Sequence, residues 1–219
     1  MRPAKIEAPR LPVLNLPDLV ENTDEDFYSG DHFDGQRFTA PAFDGLDLTS
    51  ADFAECELTN PTFHEAILRG VRFRDSVLAN SFAPVFTAPR SSWREVEITA
   101  PRWGSAEIYD SSWESVRIDG GKIDFLNLRG SKILDLQISD CIIDELDLGG
   151  AKASRVALVN CRIGTLDVRA ATLKNVDLRS SEFRTITGLE NLAGAIVDGY
   201  QLGLLAPLMA AHLGLTVQG

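Results

Sequence analysis

Three histidines and three cysteines are the residues of this 219-residue chain best suited to metal binding or nucleophilic chemistry. The histidines are His32, His64 and His212, and no Cys-x-x-Cys or His-x-x-x-His spacing, typical of zinc sites, occurs. An odd number of cysteines also argues against a disulfide framework. The sequence therefore predicts no metal site and no catalytic residue of these types.

Two further patterns come near to chemical motifs but lack essential parts. The sequence Gly120-Gly121-Lys122 has no upstream glycine of a phosphate-binding loop. Neighbouring carboxylates such as Asp144 and Glu145 lie in no predicted cleft that would shift their pKa values. We therefore predict no catalytic residues, no cofactor-binding residues and no cofactor, and the chain is not expected to be an enzyme.

Charge is distributed unevenly along the chain, which has 21 Lys and Arg against 32 Asp and Glu, a formal net charge of −11. Residues 1–68 hold 14 acidic and 4 basic residues, whereas the other 151 hold 18 and 17. Such a field repels nucleic acid and anionic membranes and attracts basic partners. We therefore predict an acidic partner surface at Asp44, Asp47, Asp52, Glu55 and Glu57. Alternatively, the acidic excess serves solubility and discourages end-to-end stacking.

The element that positions these residues is indicated by a period of five. From Phe33 to Phe183 every fifth residue is apolar, a period that fits neither a helix nor a strand. A second inward position, two residues earlier, carries mainly small and branched residues, including Cys56, Cys141 and Cys161. This pattern predicts a chain that bends regularly around a narrow, filled interior. We interpret the cysteines as reduced core residues.

The repeating units Gly45–Thr49, Ser50–Ala54 and Glu145–Gly149 resemble the A(D/N)LXX unit of the pentapeptide-repeat proteins. The resemblance covers roughly residues 24–188. It implies an all-β fold, a right-handed, four-sided parallel β-helix of about eight to nine 20-residue coils. Residues 20 apart should then form ladders, which on one side are Phe33, Phe53, Phe73, Trp93 and Trp113. Glycines should occupy the corners, at positions 30, 35, 45, 70, 120, 130 and 150.

Both ends of such a rod expose backbone and need covering. Residues 1–23, with prolines at positions 3, 9, 12 and 17, are predicted to form a Pro-rich arm or cap. Residues 189–219 are predicted to form a helical C-terminal cap, with Asp198 as the helix N-cap and Gly214 as its C-terminal left-handed residue. Pro207 interrupts the helical pattern, which predicts either one kinked helix or two short helices. This cap carries more apolar groups than one coil needs, which favours a homodimer over a monomer. The candidate dimer interface is Leu204, Leu205, Leu208, Met209 and Leu213.

The repeat weakens at residues 82–90, although its register persists. Ala83 and Ala88 are small for the inward position, and Phe86 at the second inward position can fill the space. We expect a local bulge or bend here.

Two functions fit these observations. One is a non-enzymatic interaction rod that binds an unidentified protein partner, without direct contact to nucleic acid or membrane. The resemblance implies the other, because some pentapeptide-repeat proteins mimic duplex DNA and modulate or protect DNA gyrase and other type II topoisomerases. The basic residues of the middle coils fit that role poorly, and a small-cation site on the first coils lacks a defined ligand spacing. A cytoplasmic location is expected, because we identify neither a signal sequence nor a bilayer-length apolar segment.

Overall fold

A computed structural model describes residues 6–16, 18–23 and 26–216. Pro3 and Pro17 of the predicted arm lie outside the described residues. The described chain forms a parallel β-solenoid of about nine turns followed by one C-terminal helix, which confirms the predicted fold class. Within these residues no helix combines the length and the apolar character needed to cross a bilayer.

The strands are short and follow one another around the coils. In chain order they are β1 (Val20–Glu21), β2 (His32–Asp34), β3 (Gln36–Thr39), β4 (Asp52–Ala54), β5 (Glu57–Thr59), β6 (Arg72–Ala79), β7 (Phe82–Thr87), β8 (Ser92–Thr99), β9 (Arg102–Glu107), β10 (Ser112–Asp119), β11 (Lys122–Asn127), β12 (Lys132–Ser139), β13 (Ile142–Asp147), β14 (Lys152–Val159), β15 (Arg162–Asp167), β16 (Thr172–Asp177), β17 (Glu182–Thr187) and β18 (Ala195–Ile196). Leu189–Asn191 forms a 3-10 turn, and helix α1 spans Gly199–His212.

From β2 to β17, paired strands lie 20 residues apart. Ile118, for example, is the register partner of Ile98 on one side and of Ile138 on the other. The described strands form a 12-stranded and a 6-stranded sheet, and all of their pairings are parallel. Each 20-residue coil has four inward residues and hence four sides. Sides 1, 2, 3 and 4 are the sides that contain the inward residues Phe33, Phe38, Phe43 and Leu48, respectively. Each side also contains the residues that follow its first inward residue at intervals of 20.

The period-five residues form the core. All of them from Phe33 to Leu178 are buried, and Phe183 is partly buried against the same cluster. The predicted aromatic ladder of side 1 is present, because its rings stack with centroid distances of 4.9, 4.9, 4.6 and 5.1 Å from Phe33 to Trp113. Stacked rings of this kind add to the stabilisation from burial alone.

The corners use left-handed backbone. All seven predicted corner glycines have φ between +64 and +80°. The corner between sides 3 and 4 changes along the rod: Gly45 and Glu65 have φ of 71 and 58°, but from Val85 onward this corner leaves the left-handed region and the strand continues through it.

The bulge expected at residues 82–90 is therefore wrong. Strand β7 keeps its register with β9, pairing Phe82 with Arg102. The weak repeat marks the change of corner conformation instead. Phe86 is fully buried and stacks on Trp103 at a centroid distance of 4.7 Å, so it fills the space that the small Ala83 and Ala88 leave.

The two ends are covered differently. β1 pairs with β3 and extends the first coil, while residues 6–16 lie along the side of the rod and do not cover its end. At the other end the Asp198 side chain caps helix α1 by accepting a hydrogen bond from the Gln201 backbone N–H at 2.8 Å. The Gln201 side chain donates to the carbonyl oxygens of Leu178 and Ser181 at 2.6 and 2.7 Å, which fixes the helix on the last coil.

The register makes a direct prediction for Ile138, which is fully buried in the side 2 ladder between Ile118 and Leu158. Ile138→Asp should lower the free energy of unfolding by about 4 kcal/mol, because it buries an unpaired charge. Urea denaturation measures this loss. Leu134→Asp is the matched control, because Leu134 is 37% exposed, and it should cost less than about 1 kcal/mol. Equal losses in the two variants would contradict the assigned inward and outward positions.

Candidate interaction surfaces

Many acidic residues of the repeat have a local structural role. The side chains of Asp47, Asp147 and Asp167 each accept a hydrogen bond from the backbone N–H two residues later, at 2.9, 2.7 and 2.9 Å. Asn127 and Asp177 do the same. This is the turn in which a short Asp or Asn side chain replaces a backbone acceptor. These side chains thus shape the corners of the rod.

The five residues of the predicted acidic surface do not share one face. Asp44 lies on side 3, Asp47 on side 4, Asp52 on side 1 and Glu57 on side 2, while Glu55 occupies the corner between sides 1 and 2. They surround one part of the rod. A single flat partner surface therefore cannot contact all five at once.

Asp52 is the most strongly engaged of these acids. It is 8% exposed and lies 3.6 Å from Arg72, 3.3 Å from Arg74 and 3.3 Å from His32. Burial opposes its ionisation, but the hydrogen bond and charge of Arg74, aided by Arg72 and His32, outweigh that effect and lower the pKa of Asp52. Asp52 thus serves as the centre of an ion-pair cluster.

The other acidic residues of the predicted surface differ in whether their side chains form hydrogen bonds or ion pairs. Glu57 pairs with Arg37 of the preceding coil at 3.2 Å. Asp44 accepts hydrogen bonds from the Thr62 hydroxyl at 3.0 Å and from the His64 backbone N–H at 2.6 Å. Within the described residues, the Glu55 side chain is the one among the five that forms neither a hydrogen bond nor an ion pair.

The cysteines are buried and free. Burial, the largest influence, raises the pKa of the Cys56 thiol to about 11. A hydrogen bond with Cys161, together with burial, raises the pKa of Cys141. Because their pKa values are raised, the buried thiols of Cys56 and Cys141 stay neutral, and neutral thiols are poor nucleophiles and poor metal ligands. Among the residues that the structure describes, no group of three or more His, Cys, Asp and Glu side chains could hold a metal ion.

The structure divides the predicted dimer interface into two parts. Leu205, Leu208 and Met209 pack against the core of the rod. Leu204 and Leu213, in contrast, are 52% and 70% exposed. The exposed surface around them is apolar, and the sequence from position 199 to position 216 contains no Asp, Glu, Lys or Arg.

A basic face that sequence analysis did not identify lies on side 1. From β6 to β16 the residues that flank each inward residue on this side include one acid, Glu114, and six basic residues: Arg72, Arg74, Arg94, Lys132, Lys152 and Lys174. The net charge of −11 conceals this face, because residues 69–219 also hold 18 acidic residues, which balance their 17 basic ones. Counting charges at 20-residue intervals would have found it.

Lys132, Lys152 and Lys174, which we call the lysine patch, differ from most other basic side chains of the rod. All three are exposed, and none forms an ion pair within the described part of the chain. Lys132 and Lys152 are direct register partners on adjacent strands. Like charges placed opposite each other in a sheet destabilise it. The direct pairing of Lys132 with Lys152 therefore carries a cost in stability.

Comparison with known proteins agrees with this architecture. A family model described as pentapeptide repeats matches residues 42–78 in 8 copies. A search of curated proteins finds no match to the sequence.

Among solved structures, a trypsin-treated variant of QnrB1, a plasmid-mediated fluoroquinolone resistance protein, is 19% identical over 91% of this chain and 97% of that chain, with a TM-score of 0.42. Full-length QnrB1 is 19% identical over 86% of this chain and 94% of that chain, with a TM-score of 0.32. HetL, a pentapeptide repeat protein involved in heterocyst differentiation regulation in the cyanobacterium Nostoc sp., is 14% identical over 80% of this chain and 92% of that chain, with a TM-score of 0.30. At these TM-scores, resistance and differentiation control stay properties of those proteins.

The matched repeats continue on both sides of the matched segment. The same five-residue unit runs from Phe33 to Phe183 with all of its inward residues in one 20-residue register. Residues 42–78 therefore match the pentapeptide-repeat family, and the rest of the solenoid continues the same repeat.

Proposed function

We propose that the protein is a non-enzymatic rod that binds an acidic protein partner through the lysine patch. The observation that carries this proposal is the stacking of unpaired Lys132 and Lys152 on a protein with a net charge of −11. An acidic partner surface would supply the counter-charge that the rod lacks there, and charge complementarity favours both encounter and specificity.

The rest of the rod supports the proposal that a partner protein binds to its outer surface. Its interior is filled by its own side chains, as the buried ladders show. Many of the acids of the first coils are engaged in ion pairs or turns. The free, buried state of Cys56, Cys141 and Cys161 supports a reducing compartment, and we propose a cytoplasmic location.

The triple variant Lys132→Glu, Lys152→Glu, Lys174→Glu tests the lysine patch. Quantitative affinity capture should show a partner that is retained by the wild type and depleted about tenfold or more with the triple variant. Lys122→Glu is the control, because Lys122 lies on the opposite side and already pairs with Asp124 at 2.7 Å. Identical sets of captured proteins from all three baits would contradict the proposal.

We also propose a homodimer through the exposed surface of α1 and of its C-cap residue, Leu213. Leu204 and Leu213 of the candidate interface are exposed there, next to Tyr200 and Leu202, which are 75% and 51% exposed. An apolar surface without charges is typical of an interface between subunits.

Sedimentation velocity tests this dimer. The wild type should sediment as a dimer and the double variant Leu204→Asp, Leu213→Asp as a monomer, because each new carboxylate would be desolvated in the interface. Leu134→Asp, on the side of the rod, should leave the dimer intact. A monomeric wild type at every concentration tested would refute the proposal.

A second candidate function is modulation or protection of DNA gyrase. The observation that favours it is the acidity of residues 1–68, which hold 14 acidic and 4 basic residues. Since Asp52 and Glu57 are paired, exposed Asp34, Glu55 and Glu65 would carry the DNA-like charge.

Gyrase supercoiling, with and without a quinolone, tests this candidate. The wild type should inhibit or protect the enzyme, and Asp34→Asn, Glu55→Gln, Glu65→Gln together should weaken the effect about tenfold. The control removes three acids from later coils, with Asn at positions 124, 140 and 144, and should retain the effect. No change in supercoiling at a large excess of protein would exclude gyrase as the partner.

A further inference from the structure

The arm, residues 6–16, runs lengthwise along the corner between sides 1 and 2. Its Glu7 carboxylate lies 3.9 Å from Arg155, and the Arg10 backbone N–H donates to Asp135 at 2.9 Å. The chain then runs back to the first coil, where Val20 pairs with Gln36. The arm therefore passes over several coils before the solenoid begins.

A groove on this corner receives the arm. Leu11, Pro12 and Leu14 cover it and leave a gap too narrow for a water molecule. The rod residues under the arm, which with Asp135 and Arg155 we call the corner groove, are Glu95, Val96, Glu97, Ser115 and Arg117. The contact involves both apolar and charged groups.

The groove has a prebuilt anchor for an extended chain. Asp135 is 4% exposed and is held by Arg155 through two hydrogen bonds of 2.6 and 2.7 Å. This ion pair belongs to the rod alone, because both residues lie in the solenoid. The Asp135 oxygen that also accepts the Arg10 N–H is therefore already in position to bind a backbone amide.

The arm occupies this groove with few specific contacts. The hydrogen bond from Arg10 to Asp135 is the one that joins residues 6–16 to the rod in the described structure. Pro9 and Pro12 have no N–H to donate, and Val13 is 88% exposed. Backbone segments with few hydrogen bonds and little burial open most easily.

The arm also leaves a polar atom of the groove unsatisfied. The Nε atom of Arg117 is buried and has no hydrogen-bond partner within the described residues. A segment that placed a carbonyl oxygen near Arg117 would fit this groove better than the arm does.

We propose that the corner groove is a docking site for an extended, proline-containing apolar segment of a partner protein, and that the arm occupies it until the partner displaces it. The chemistry of the occupant is read from the arm itself. Pro9 and Pro12 have the Pro-x-x-Pro spacing that favours an extended polyproline helix, and Leu11 and Leu14 supply the apolar anchors. The inference rests on the proposed function only in treating the rod as a protein-binding scaffold, because the lysine patch is a separate surface.

The test uses full-length protein and a fluorescent peptide with the sequence of residues 6–16. The variant Leu11→Asp, Leu14→Asp should release the arm and bind the peptide about tenfold or more tightly than the wild type, as measured by fluorescence polarisation. Val13→Asp adds a charge to the exposed face of the arm and should behave like the wild type. If the double variant does not fold, the same measurement is made with residues 6–16 replaced by a Gly-Ser sequence of equal length.

Two outcomes would overturn the proposal. One is the absence of saturable peptide binding to a released variant whose circular dichroism is native. The other is a wild-type dimer that Leu11→Asp, Leu14→Asp abolishes, because the groove would then hold the arm of a second copy. The peptide is also measured with the lysine patch changed to glutamate. Binding that persists in this variant shows that the corner groove acts independently of the proposed lysine-dependent function.

Discussion

Backbone hydrogen bonds between coils 20 residues apart are the constraint on which the rest of this protein depends. They place residues that are 20 apart in columns, with about 4.8 Å between successive coils. Each side chain therefore contacts its counterparts on the neighbouring coils. Inside, this produces the stacked rings from Phe33 to Trp113. Outside, it brings opposite charges together, as in Arg37 with Glu57 and Arg155 with Asp135. The same geometry makes the stack of Lys132 on Lys152 unfavourable, which is why the lysine patch stands out.

The corners pose a second problem, because sharp turns direct some backbone amides into the core. Side chains of the next coil solve it where they carry an oxygen: the amides of Ser91 and Ser111 donate to the hydroxyl groups of Ser111 and Ser131 at 3.0 and 3.1 Å. Proline solves it elsewhere, as at the buried Pro61, because it has no N–H to satisfy. The small polar residues of the second inward position therefore keep buried polar groups paired as well as filling space.

Much of the fold could be predicted from the sequence, because its rules are local and repeat. The inward residues, the corner glycines and the Asp198 cap each depend on a few neighbouring positions. The path of the arm could not be predicted, because Arg10 contacts Asp135 at a separation of 125 residues with no period to indicate it. The corner change at Val85 depends on the packing of a whole coil. The acidic surface was predicted from blocks of sequence, whereas the structure distributes those acids around four sides.

The arrangement of charge also bears on which partner the rod can bind. A mimic of duplex DNA needs negative charge along its whole length, but the lysine patch lies on the later coils and the acidic excess lies on residues 1–68. In the proposed dimer through α1, the two lysine patches would lie toward the centre and the acidic coils at both outer ends. The lysine patches would then form basic areas on a nearly neutral centre, because residues 69–219 hold 18 acidic and 17 basic residues. Such an assembly fits a protein partner with an acidic central surface better than it fits a site built for DNA.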